Sequence, residues 1–91
     1  MSWQEDITTT TPDNESCWYV LCIAYKHQKE TDSTYRTYFN FNNMKKWFIE
    51  NQNNIERYSI RWMSGFCLVD VFSCLSNSLD ALNQLQKRLG M

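Results

Sequence analysis

The chain has 91 residues, 43% hydrophobic and 21% charged, which specifies one globular domain rather than a disordered segment. Its formal net charge of −1 excludes the strongly basic balance of a dedicated nucleic-acid binder. Nowhere do roughly 18 apolar residues run together, so neither a membrane-spanning helix nor a membrane partner is expected.

The charge is unevenly placed. Residues 1–16 carry Glu5, Asp6, Asp13 and Glu15 and no basic residue, whereas residues 17–91 carry nine basic against six acidic residues. The first segment also holds a threonine run and Pro12 without helical or strand periodicity, so it reads as a flexible acidic tail on a domain spanning 17–91. Its opening, "MSWQEDITTTT", lacks the basic and apolar regions of a secretory signal. A cytoplasmic protein with reduced cysteines is the expectation.

"CWYVLCIAYK" at 17–26 is almost continuously apolar and β-prone, and reads as a strand. Polar residues 27–33 follow as a loop. "TYRTYFNF" at 34–41 alternates with period two and reads as a second strand. Asn42 or Asn43 offers an N-cap for a helix whose apolar face is Met44, Trp47, Phe48 and Ile55. Lys45 and Lys46 would fall in its first turn, where the helix dipole disfavours cations.

"RYSIRWM" at 57–63 alternates again, Ser64-Gly65 reads as a two-residue hairpin turn, and "FCLVDVFSC" at 66–74 as the returning strand. Ser76 or Ser78 caps a final helix with Leu79, Leu82, Leu85 and Leu89 as its stripe. Asp80 lies early, Lys87 and Arg88 late, and Gly90 ends it. The order ββαββα predicts an α+β domain: an antiparallel four-stranded sheet with both helices packed on one face.

Asp70 interrupts the most apolar strand. A Ser64-Gly65 turn sets Met63 against Phe66 and Asp70 against Ser59, with Arg57 and Arg61 as diagonal neighbours. A structural ion pair of Asp70 with Arg57 and Arg61 is therefore expected on the face away from the helices. The same register sends Tyr58, Ile60, Trp62, Cys67, Val69 and Val71 to the core. It leaves Met63, Phe66, Leu68 and Phe72 outward, alongside Trp18. A solvated sheet face should alternate with polar residues; this one does not, and a large apolar patch marks an interaction site.

Equipment for chemistry is sparse. His27 is the only histidine and falls in a polar loop. No G-x-S-x-G, P-loop or G-x-G-x-x-G string occurs, and Gly65 and Gly90 both have structural uses. Cys17/Cys22 and Cys67/Cys74 are spaced unlike zinc knuckles, and in strands each pair should straddle opposite faces. No enzyme activity, metal or cofactor is expected.

Two readings of the outer face remain. Trp18, Arg36, Tyr38, Arg57, Arg61, Met63, Phe66, Leu68 and Phe72 form a candidate protein-binding surface, rich in the aromatics, Met and Arg that interface centres favour. Its occupant would be a larger protein target or a second copy of the chain. A small regulatory or inhibitory protein, of the kind phages and mobile elements encode, fits that reading. Alternatively, Trp18, Tyr38, Phe66 and Phe72 beside Lys26, Arg36, Arg57 and Arg61 would stack single-stranded nucleic acid.

Overall fold

Every second residue of the first strand goes inward: Tyr19, Leu21 and Ile23 are fully buried, and their alternates Trp18, Val20 and Cys22 are half-buried. The computed structural model describes residues 16–28 and 33–91; residues 1–15 of the acidic segment and 29–32 of the polar loop lie outside them. The elements are β1 (Cys17–Tyr25), β2 (Thr34–Tyr38), α1 (Phe41–Asn51), a 3-10 turn at Gln52–Asn54, β3 (Ile55–Ser64), β4 (Cys67–Cys74) and α2 (Asp80–Arg88). All strand pairings are antiparallel, in the order β2-β1-β3-β4. The α+β class and the ββαββα order are as the sequence implies.

Both helices bury their apolar faces against one side of the sheet. Phe41, Met44 and Phe48 of α1 and Ala81, Leu82 and Leu85 of α2 join Tyr19, Leu21, Ile23, Tyr58, Ile60 and Phe72 in one core. Fully burying side chains of this size contributes about 1.5–3 kcal/mol each, so this core is the main source of stability. The helix α1 begins earlier than its periodicity suggests. Asn40 is extended and its Oδ1 accepts the Asn43 N–H at 3.1 Å, so Asn40 is the N-cap, and Phe41 is a helical core residue rather than a strand residue. Lys45 consequently lies beyond the first four helical residues, and its Nζ donates to Gln86 Oε1 on α2 at 2.9 Å.

The helix α2 ends in a Schellman motif. Gly90 has φ +76°, its N–H donates to the Lys87 carbonyl, and the Met91 N–H reaches back to Gln86. The chain entering α2 is pinned by a reciprocal pair: Gln52 Nε2 donates to the Asn77 carbonyl at 2.7 Å and Asn77 Nδ2 to the Gln52 carbonyl at 3.0 Å.

The β3–β4 hairpin departs from the expected register in two steps. Ser64 pairs with Cys67, so the turn residues are Gly65 and Phe66, and Gly65 takes φ +59° where a type II′ turn calls for glycine. That step moves the pairing by two residues and preserves which residues face inward. The second step does not. Met63 pairs with Leu68 but Trp62 pairs with Asp70, leaving Val69 as the extra residue of a β-bulge. Beyond the bulge every side chain changes face. Asp70, Phe72 and Cys74 point to the helices, and Val71 and Ser73 point away, with Phe72 only 6% exposed.

Candidate functional site: the outer face of the sheet

The strand register defines the face opposite the helices. Across the sheet from β2 to β4, Thr37, Val20, Arg61 and Val71 form one row, and Tyr35, Cys22, Ser59 and Ser73 the next. Trp18, Met63 and Leu68 make a row toward the β3–β4 turn, and Ala24 and Arg57 one toward the other end. Leu68 is 54% and Val71 43% exposed, Tyr35 is exposed, and Trp18, Val20, Cys22 and Met63 are half-buried. The face is thus an apolar strip from β1 to the β4 edge, crossed by the arginines of β3. Among the described residues in these rows there is no carboxylate.

Two features shape this strip. At one corner the Trp18 indole Nε1 donates to the Gly65 carbonyl at 2.7 Å, which holds the ring beside the turn. At the other end a shallow depression of about 210 Å³ is lined by Cys22, Ala24, Arg57, Ser59, Ser73 and Leu75. Leu75, 88% exposed, stands at its rim.

Five of the nine expected surface residues lie on this face: Trp18, Arg57, Arg61, Met63 and Leu68. The other four do not. Arg36 and Tyr38 sit on the helix side, paired in register with the buried Leu21 and Tyr19. The Arg36 guanidinium stacks 4.4 Å from the Trp47 ring and its Nε donates to Tyr38 Oη at 2.7 Å, so it joins β2 to α1. Phe66 is fully exposed, but in the turn. Phe72 is core, because the bulge at Val69 reverses its face. The same reversal brings Val71 onto the outer face, where the unbroken alternation had put it inside.

Asp70 has a different partner from the one expected. Its Oδ2 accepts from Arg88 Nη1 on α2 and its Oδ1 accepts the N–H of Val71 at 2.8 Å. The two bonds, the backbone one foremost, hold its carboxyl below the usual carboxylate range. Arg57 and Arg61 lie on the opposite face, so the expected pair with them does not form. Arg88 also stacks over Trp62, 5.6 Å from its centroid, and closes a Trp62–Arg88–Asp70 group at the helix side of β4.

The cysteines are all free thiols. Cys17 and Cys22 straddle the sheet as expected. Cys67 and Cys74 do not, since the bulge puts both on the helix side. Hydrogen bonds from Ser76 and Ser78, with Sγ to Ser78 Oγ at 3.1 Å, hold the Cys74 thiol below its ordinary pKa. His27 is exposed, and among the described residues no three His, Cys, Asp or Glu side chains are grouped closely enough to hold a metal ion. No helix among the described residues is long and apolar enough to cross a membrane.

Comparison of the chain with protein-family models, with curated proteins and with solved structures gave no match.

Proposed function

We propose that this chain is a protein-interaction module without catalytic activity, a small regulatory or inhibitory protein that docks on a larger protein through the outer face of its sheet. The observation that carries this reading is the apolar strip of Trp18, Val20, Met63, Leu68 and Val71 with Arg61 in its central row. An apolar surface flanked by guanidinium groups, with no carboxylate among the described residues of its rows, fits a partner segment that is itself apolar and acidic. Such a segment buries its side chains on the strip and brings carboxylates to the arginines, which adds orientation and encounter rate to the affinity of burial. A second copy of the chain fits less well. On a two-fold axis the arginines of one face would oppose those of the other, and like charges across an interface cost affinity.

Nucleic-acid stacking has lost its platform. Of the four rings expected to form it, Trp18 alone lies on the outer face; Tyr38 and Phe72 are on the helix side and Phe66 is in the turn.

Selection of a random peptide library against the full chain tests the reading. The expected pool combines aromatic or aliphatic residues with Asp and Glu, and loses binding on Arg61→Glu or Val71→Lys but not on Lys46→Glu on α1. A pool rich in basic residues, or one indifferent to the two outer-face substitutions, overturns it.

A further inference from the structure

The sheet ends in an open edge at β4. The order β2-β1-β3-β4 leaves its far side without a strand neighbour among the described residues. Val71 is opposite Arg61, yet its N–H donates to Asp70 Oδ1 at 2.8 Å rather than to β3. That N–H therefore points to the open side. Backbone groups of an antiparallel strand alternate between its two sides, so the Val71 carbonyl and both backbone groups of Ser73 point there too. Side chains do little to blunt this edge: Leu68, Val69 and Val71 are exposed, and β4 contains neither Lys nor Pro. Its protections are the bulge at Val69 and the Asp70 carboxylate.

A groove runs beside the edge on the helix side. Its volume is about 700 Å³, and it is lined by Asp70, Val71, Phe72, Gln84, Lys87 and Arg88. Lys87 and Arg88 bring two cations against the single carboxylate of Asp70.

A strand added antiparallel to β4 suits both features. Its residues opposite Val71 and Ser73 would bond the open edge through their own N–H and carbonyl groups, and their side chains would extend the outer apolar strip. The residue between them, opposite Phe72, would enter the groove beside Lys87. The charge balance calls for an acid at that position, and the strip calls for apolar residues on either side of it. The β4 strand of a second copy suits the edge less well, because it would bring Lys87 and Arg88 of both chains to one groove.

We infer that the β4 edge takes an extended segment of the partner, alternating apolar and acidic residues, as a fifth antiparallel strand, and that Asp70 guards this edge by holding the Val71 N–H. The inference rests on the docking reading above and adds the partner's backbone conformation and residue pattern to it. In this mode of recognition main-chain bonds supply affinity and alternate side chains supply specificity. The Asp70 carboxylate leaves the Val71 N–H when the strand adds, and Arg88 keeps it on the helix side.

The probe is the acetylated and amidated pentapeptide Ser-Val-Glu-Val-Ser, titrated into the full chain and into Asp70→Ala with amide shifts as the readout. The Asp70–Arg88 pair is exposed, so the variant keeps its fold. The expected result is shifts at Val71, Phe72 and Ser73, with binding about tenfold tighter to Asp70→Ala. N-methylation of either valine of the peptide should weaken binding about tenfold, and N-methylation of its glutamate should not. An N-methylation series with equal effects at all three positions overturns the inference. So does Asp70→Ala binding no more tightly than the natural chain, or a β4 edge that the peptide leaves unmoved. Shifts at Val71 and Ser73 that vary with protein concentration before peptide is added also overturn it, because they assign the edge to a second copy. The docking reading is judged separately. If library-selected peptides shift the outer face while the pentapeptide leaves the β4 edge unmoved, docking stands and only strand addition falls. If neither perturbs the face or the edge, docking itself falls.

Discussion

The Tyr58 hydroxyl joins β3 to the start of α2: it donates to the Ser78 carbonyl at 2.7 Å and accepts the Leu82 N–H at 3.4 Å. One phenol thus serves a loop carbonyl and one of the N–H groups that a helix start leaves without an internal partner. Its ring packs on Phe48 with centroids 4.3 Å apart, so Tyr58 ties the sheet to both helices. Tyr58→Phe keeps the ring and strands both backbone groups. The expected cost is about 1–3 kcal/mol in denaturant midpoint experiments.

Tyr58 also sets an alkaline limit. Burial pushes its hydroxyl from 10.0 up to about 12. Below pH 10 both folded and unfolded chains keep the proton, and the contribution to stability is complete. Between pH 10 and about 12 the unfolded chain ionises first, so stability falls as pH rises through that window. Tyr58→Phe should remove this part of the decline. A Tyr58→Phe chain with an unchanged alkaline slope would show that another group governs it.

Phe66 and Phe72 should respond in opposite ways to truncation. Phe72→Ala empties a core position and should cost about 3–5 kcal/mol. Phe66→Ser changes a fully exposed turn residue and should stay within about 0.5 kcal/mol of the natural chain. Equal effects on chemical denaturation would contradict the bulge at Val69.

Asp70→Asn should destabilise the chain most at low ionic strength and least at high salt, since the Arg88 pair is exposed to solvent. Because the folded carboxyl is held below its usual range, its contribution is present above the ordinary carboxylate pKa. It is lost as pH falls through the lowered value. Asn at this position should therefore flatten part of the acid limb of the stability profile. Arg88→Gln should do the same, while Arg61→Gln should not.

Trp62 Nε1 is buried and has no hydrogen-bond partner among the described residues. Trp62→Phe removes an unsatisfied donor at the same time as it removes packing volume. The loss measured by thermal unfolding should consequently fall short of the ~3–5 kcal/mol typical of emptying a large aromatic core site.

The element order was legible because β2 and β3 alternate, β1 and β4 are β-prone and almost continuously apolar, and each helix stripe recurs at three and four residues. The Leu82/Leu85 stripe, the Gly90 terminus and the positive-φ need at Gly65 all follow from residue type. The bulge was not legible. Nothing local in "CLVDVF" distinguishes Val69 from Val71, and one inserted residue reverses every side chain after it. Its physical gain is visible only in three dimensions: Phe72 enters the core and Asp70 meets Arg88, a residue 18 positions away. Arg36 and Tyr38 went astray for a related reason. With Phe41 read as part of a strand over 34–41, Arg36 and Tyr38 were placed on the outer face. The Asn40 cap ends the strand before that, and Tyr38 takes the core position instead.

Amide-shift mapping of the full chain with the tightest library-selected peptide tests the docking surface most directly. The account predicts shifts centred on Trp18, Val20, Arg61, Met63, Leu68 and Val71, abolished by Arg61→Glu. Shifts centred on α1 and α2, with the outer face of the sheet unmoved, would contradict it.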